Sequence, residues 1–187
     1  YEFKRVIGRT YSDKLLWADA KHWPFQLVRP TKDEGPHPRY LVIHAGGITR
    51  LTATDLITTV LTRLMELVAD RLGPSVPIAG VTLTVPAHFD NAQRQQMLLA
   101  AKQAGINCDA ELLNEPSAAA LAYLAAAPPT EQERTMLVVD LGAGTLDVSC
   151  VLVDSAQQCS IAGTEGRCDL GGLTFDQRLL ELVVTHA

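Results

Sequence analysis

The sequence is poor in aromatic residues, which make up 5% of its 187 positions, and it carries no surplus of basic charge. Its net charge is -5 and its pI ≈ 5.5, so the electrostatic footprint of a nucleic-acid binder or a polybasic membrane segment is missing. Long apolar runs are missing too. The longest, Ala118 to Ala127, is too short to cross a bilayer and stops at Pro128-Pro129. Cysteine is sparse: Cys108, Cys150, Cys159 and Cys168 form no CxxC pair, and a chain this rich in apolar residues needs no disulfide framework. His22, His37, His44, His88 and His186 are scattered, so a His-based metal site is not expected. These absences lead to the expectation of a soluble, cytoplasmic protein that binds neither nucleic acid nor membrane.

What is present is the material for a packed core, with 47% hydrophobic against 20% charged residues. The first residue is Tyr1 rather than Met, and Lys4-Arg5-Val6-Ile7-Gly8-Arg9 reads as the middle of something. The expectation is therefore that 187 residues are not the natural length.

Punctuation separates three regions. Residues 1–51 mix a short basic helix with β-like runs at Phe25 to Val28, Tyr40 to Ile43 and Ile48 to Leu51. The prolines and Gly35 between Arg29 and Pro38 read as a hairpin connection. Region two opens on Thr52-Ala53-Thr54-Asp55, a capping-box pattern, followed by Leu56, Val60, Leu64, Leu67 and Val68 at helical spacing until Gly73-Pro74. Then come a buried strand from Ile78 to Val85, a helix from Asn91 to Ala104, a strand from Cys108 to Leu113, and an Ala-rich helix from Glu115 to Ala126. Pro128-Pro129-Thr130-Glu131 is the natural boundary. Region three has strands Met136 to Leu141 and Leu146 to Val153, a third across Gln158 to Thr164, and a terminal amphipathic helix from Phe175 to Val184. Strands alternating with helices, then a hairpin-rich region, indicate an α/β fold.

The sharpest chemical feature is Val139-Asp140-Leu141-Gly142-Ala143-Gly144-Thr145-Leu146-Asp147. A strand delivers Asp140, small residues turn the chain, and a second strand carries Asp147 back beside it. Backbone N–H groups at Gly142, Ala143 and Gly144, with the Thr145 hydroxyl, can hold phosphate oxygens. The two carboxylates can hold a hydrated Mg²⁺. The bland alternative is an ordinary hairpin with an Asp-flanked turn. Glu115 falls where a strand meets a helix start, the edge at which α/β folds place functional carboxylates, although a first-turn Glu also suits the helix dipole. Lys4-Arg5 has no local feature beyond a surface charge pair.

These segments acquire a common meaning by resemblance. Phe3 to Arg9, Lys21-His22-Trp23-Pro24-Phe25, Leu83 to Phe89, Ala92 to Gln95, Asn114 to Tyr123, Asp140 to Ser149, and Leu170-Gly171-Gly172 before Phe175-Asp176 resemble the DnaK-type, seventy-kilodalton heat-shock chaperones in order and spacing across the whole chain. The resemblance implies an incomplete actin-like (ribonuclease H-like) ATPase fold with parts of both lobes. Residues 1–51 would be the later part of the outer subdomain of lobe I, 52–127 the later part of its inner subdomain, and 134–187 the first part of the inner subdomain of lobe II. It implies ATP and ADP as ligands with Mg²⁺. Lys4 would be the catalytic lysine near the γ-phosphate, and Asp140, Asp147 and Glu115 the acids around the hydrated metal. Gly142, Ala143, Gly144 and Thr145 would hold phosphate, and Pro86 and Arg94 would be the switch and relay of nucleotide state. Implied partners are unfolded client peptides bound by a further C-terminal domain, a J-domain co-chaperone and a nucleotide exchange factor.

Several residues depart from the family pattern. Ala143 replaces the middle glycine of a triple-Gly turn, a change that is harmless only if φ there is negative. His88 stands where the family has tyrosine, Asp90-Asn91 reverses the usual order, and Leu173-Thr174 replaces two acids. Ala110-Glu111 takes the place of a basic residue used towards J-domain partners. Two functions follow from the resemblance: an ATP-hydrolysing chaperone that cycles peptide binding and release, or a non-hydrolysing relative that binds nucleotide as a switch or co-chaperone. A sugar kinase would share the Asp140 loop but would not explain Lys4 together with Asn114-Glu115-Pro116.

Overall fold

The computed structural model describes residues 3–21, 23, 25–73, 76–106, 109–126, 132–167 and 170–185. The chain divides into two compact units, one of Tyr1–Leu83 with Phe89–Leu112 and one of Thr84–His88 with Leu113–Ala187.

The first unit opens with α1 (Phe3–Val6) and α2 (Lys14–Ala20). No sequence pattern announces α2, which has one buried residue, Leu16, and is too short to show a period. Its start is set by Asp13, whose carboxylate accepts the Leu15 N–H at 2.9 Å. A three-stranded antiparallel sheet follows, β1 (Leu27–Val28), β2 (Arg39–His44) and β3 (Gly47–Leu51), with Leu27 opposite Tyr40 and Tyr40 opposite Leu51. The Arg29 to Pro38 connection between β1 and β2 is organised by Glu34. Its carboxylate takes Arg50 Nε and Nη2 at 2.9 Å each and the Thr31 N–H at 2.7 Å.

Next comes α3 (Ala53–Leu72), which begins on the expected capping box: the Thr52 hydroxyl accepts the Asp55 N–H, and Asp55 accepts the Thr52 N–H. It ends at Gly73, whose φ of 86° suits glycine. β4 (Gly80–Val85) and β5 (Asp109–Asn114) are neighbours in a two-stranded sheet. The expectation of a buried strand here is corrected: within β4 only Val85 is buried. Its β-branched residues report strand propensity, which does not by itself require cover on both faces.

Between these strands runs α4 (Asn91–Gln103), which packs on α3. Asp90 caps it, with Gln93 completing a second capping box. The reversed Asp90-Asn91 order therefore puts a strong N-cap residue at the helix start, and the change is absorbed locally. Ile7, Leu16, Ile57, Phe89 and Ala100 are among the core residues of this unit.

The second unit contains α5 (Glu115–Ala126), then β6 (Arg134–Leu141), β7 (Leu146–Val153) and β8 (Cys159–Arg167) in one antiparallel sheet, then α6 (Gly172–Thr185). α5 packs across this sheet, with Ala120, Val151 and Val153 at the centre and Leu124, Met136, Val138 and Ile161 around them. Alanine at the contact lets the helix backbone approach the strands closely. β8 runs three residues beyond the expected Thr164, because Glu165, Gly166 and Arg167 continue the ladder opposite Val148, Asp147 and Leu146. The terminal helix forms as expected, but none of its described residues is buried. Cys150 and Cys159 are free thiols, and burial, then Asp154, pushes the Cys159 pKa up. Cys108, Cys168, His22, His186 and the Pro128 to Glu131 boundary lie outside the described residues.

Candidate functional site

The second unit gathers most of the sequence-derived candidates around the β6–β7 hairpin. Its register places Asp140 directly opposite Asp147 and Leu141 opposite Leu146. The turn between them is closed by the Gly142 N–H donating to Thr145 O at 2.9 Å, so this amide is already occupied by the hairpin itself.

The outer side of the turn is fixed by the start of α6. The Gly172 N–H donates to Gly142 O at 3.0 Å and the Leu173 N–H to Ala143 O at 2.8 Å. These are backbone bonds, so having Leu173-Thr174 where the family has two acids leaves them intact. Because a trans peptide points its C=O and its following N–H in opposite directions, both carbonyls facing α6 turn the N–H groups of Ala143 and Gly144 to the other side. Two successive amides facing one way are donors of the kind an anion can take. Gly171 makes the close approach possible, since a Cβ there would lie 2.7 Å from Ala143 O and from Gly144 C.

Two further observations bear on a ligand. Among the described residues the only non-glycine with positive φ is Gln157, so Ala143 fits its turn without strain. At Gly142 neither conformation nor packing calls for glycine: its φ lies outside the left-handed region, and an added Cβ would meet Thr145 at ordinary distances of 3.6 and 3.8 Å.

The carboxylates share one small hollow, lined by Pro86, Ala87, Glu115, Pro116, Asp140 and Asp147 among others. Glu115 is half-buried at the first position of α5. Asp140 is exposed, and the Asp147 side chain is 20% exposed. Like charges directly across an antiparallel pair repel, so a cation near Asp140 and Asp147 would relieve a cost the fold otherwise bears. All three donors are carboxylate oxygens, the chemistry of a hard cation. Among the described residues no group of three or more His, Cys, Asp or Glu is arranged to hold a bare ion. Carboxylate oxygens are the donors that Mg²⁺ takes, usually with several of its own waters kept.

One partner in this site is not legible in the sequence. His88 Nδ1 lies 3.1 Å from Asp147 Oδ1, a contact spanning 59 residues. The departure from tyrosine marks the position, but no local pattern links residues so far apart.

Lys4 and Arg94 belong to the first unit and are described there. Lys4 is exposed on α1, beside buried Val6 and Ile7. The chain leaves α1 through Gly8, at φ 74° and so close to α4 that a Cβ would lie 2.7 Å from the Gln93 backbone. Arg94 is no plain surface charge, for its Nε donates to Phe89 O at 3.0 Å. Pro86, in the second unit, is buried directly after β4.

Comparison with known proteins gives the family. Residues 1–187 match the family described as Hsp70 protein. The chain belongs to the Hsp70 family. It is 38% identical over 186 residues to the heat shock 70 kDa protein of Emericella nidulans, covering 100% of this chain and 28% of that protein. It is 36% identical over 181 residues to a ribosome-associated molecular chaperone of Eremothecium gossypii, and 35% to one of Saccharomyces cerevisiae, in each case covering 97% of this chain and 28% of the relative. This Hsp70 chain thus spans about 28% of the length of the curated relatives it matches. Its mixed helices and sheets are those of a partial actin-like ATPase domain, and the modest identity marks a divergent member. No described helix is long and apolar enough to cross a membrane.

Proposed function

We propose that this Hsp70 chain supplies phosphate- and metal-facing residues to a nucleotide site, and that the whole protein hydrolyses Mg-ATP to drive peptide binding and release. The observation that carries the reading is the hairpin: Asp140 faces Asp147 across the strands, Glu115 lines the same hollow, and the Ala143 and Gly144 amides turn away from α6 together. In this reading Ala143, Gly144 and Thr145 hold phosphate oxygens, and Gly142 leaves the room they need. Asp140, Asp147 and Glu115 would hold the water shell of Mg²⁺, which when bound would neutralise phosphate charge, and one of these acids would help orient the attacking water. Lys4 carries positive charge to the phosphoryl group as it transfers, an effect exerted on the transition state. Pro86 and Arg94 pass nucleotide state outwards, and the subdomain limits are 1–51, 52–127 and 134–187.

Hydrolysis is favoured over a purely binding relative because two motives for the latter have structural answers. Ala143 has no left-handed backbone to strain it, and Asp90 caps α4 in full. Glu111 is exposed, so its reversed charge bears on a J-domain partner rather than on this site. Client peptides, a J-domain co-chaperone, a nucleotide exchange factor and a cytoplasmic setting belong to this proposal.

Single-turnover hydrolysis by the full-length protein tests it. Lys4→Ala should slow the chemical step by about 100-fold or more, the scale of losing one transition-state charge contact, with ATP affinity little changed. Full turnover in that variant would remove Lys4 from the chemistry. ATP binding without any turnover in the unsubstituted protein would remove the hydrolytic reading.

A further inference from the structure

Asp147 is held by more than its place in the hairpin. On β7 it has Asp140 as register partner on one side and Gly166 of β8 on the other. Gly166 is not at a left-handed φ, yet a Cβ there would lie 2.7 Å from Asp147 Oδ1 and 2.9 Å from Leu146 O. The bare backbone of Gly166 is thus the recess into which Oδ1 fits. From outside the sheet, His88 Nδ1 reaches the same oxygen at 3.1 Å. An ionised carboxylate only accepts, so the nitrogen facing it carries the proton, and this contact selects the Nδ1–H form of the ring. The ring is itself partly exposed, at 41%, while the carboxylate is 20% exposed.

We infer that His88 and Gly166 are positioning residues for Asp147: together they fix Oδ1 and thereby set the orientation in which the other oxygen meets the hydrated cation of the hollow. The inference rests on the Mg-nucleotide reading above and extends it to residues outside the acids and the loop. The physical effect is preorganisation. A short carboxylate facing another carboxylate swings away from its neighbour, and each wrong rotamer lowers the fraction of protein ready to bind metal. A hydrogen bond on Oδ1, together with a recess shaped to it, removes that freedom before metal arrives. In the sequence His88 is only a departure from tyrosine; in the fold it is a donor to a candidate metal carboxylate.

The test is equilibrium binding of ADP to the full-length protein, measured by calorimetry at stepped Mg²⁺ concentrations and in chelator. His88→Phe keeps a ring but removes the donor, while His88→Asn returns an amide N–H near the Nδ1 position. The Mg²⁺ concentration that half-saturates tight ADP binding should rise about tenfold in His88→Phe, the lower end for loss of an outer-shell partner given the exposure of the ring. It should return to within about threefold of the unsubstituted value in His88→Asn, and ADP affinity in chelator should be unchanged in both. Where His88→Phe fails to fold, His88→Ala makes the same comparison. An unchanged Mg²⁺ requirement in the donor-less variant would overturn the inference. So would an equal loss of ADP affinity with and without Mg²⁺, or failure of His88→Asn to recover. An unsubstituted protein whose ADP binding ignores Mg²⁺ would overturn the site reading itself, and that is seen before any variant is made.

Discussion

At single positions, the glycines separate into those that the chain's own packing requires and those that it does not. Gly171 belongs to the first kind, since its Cβ would press on the Ala143 and Gly144 backbone, which has no side-chain freedom to give way. Gly171→Ala should therefore cost about 1–3 kcal/mol of stability, the range for overpacking, and weaken nucleotide binding by displacing the loop. Thermal unfolding and nucleotide titration of the same variant would show both. Gly142 belongs to the second kind, since an added methyl would meet Thr145 only at ordinary distances. Ala143 is neutral between them: Ala143→Gly should leave nucleotide affinity within about twofold, as for an unstrained surface change. A large gain there would mean that the alanine methyl obstructs the phosphate. Neither distinction can be read from the Gly142-Ala143-Gly144 run itself, because spacing shows which residues are small and not which side of each is open.

Among elements, those with a complete local signal are legible in the sequence. α3 and its Thr52–Asp55 box, α4 ending before Gly105, and α5 starting at Glu115 all follow from caps and periodicity within a few residues. The elements that differ from expectation are those too short to show a period or decided by distant partners. α2 is seven residues long and is held by buried Leu16 and the Asp13 cap. β8 is extended through Arg167 by pairing with β7, and β4 owes its exposure to what lies against it. The Asp90 cap shows in the sequence only as a reversed pair, and its role needs the helix start it serves. Asp90→Ala should cost about 1 kcal/mol by denaturant unfolding, the usual value of an N-cap.

The small sheet carries a pH signature of its own. Arg50, then the Thr31 N–H, holds the Glu34 carboxyl down to about 2 from the ordinary 4.5. A carboxyl whose folded pKa is depressed stabilises the fold above the unfolded pKa and loses that contribution as pH falls through the folded one. The β1–β3 hairpin region should accordingly loosen between pH 4.5 and about 2, and hydrogen exchange at Thr31 over that window should report it. The effect should shrink in salt because the pair is partly exposed, at 34% for Arg50 and 23% for Glu34. Exchange that is flat across the window would show the Glu34–Arg50 pair to be incidental.

For the molecule as a whole, the acids and the turn follow from order and spacing along the chain, while what holds them emerges only in three dimensions. Asp140, Asp147 and Glu115 come from three elements, and they meet because α5 packs across the sheet that carries the hairpin. His88 and Gly166 reach Asp147 from 59 and 19 residues away, distances over which a sequence pattern carries no geometry. The central claim is that this acid hairpin holds a cation for a bound nucleotide. The most direct measurement is ATP affinity of the full-length protein with and without Mg²⁺, for the unsubstituted chain and for Asp140→Asn and Asp147→Asn. The account predicts that Mg²⁺ tightens ATP binding in the unsubstituted protein and that each asparagine variant needs about 10- to 100-fold more Mg²⁺ for the same gain, with affinity in chelator preserved. An identical Mg²⁺ dependence in all three proteins would contradict it.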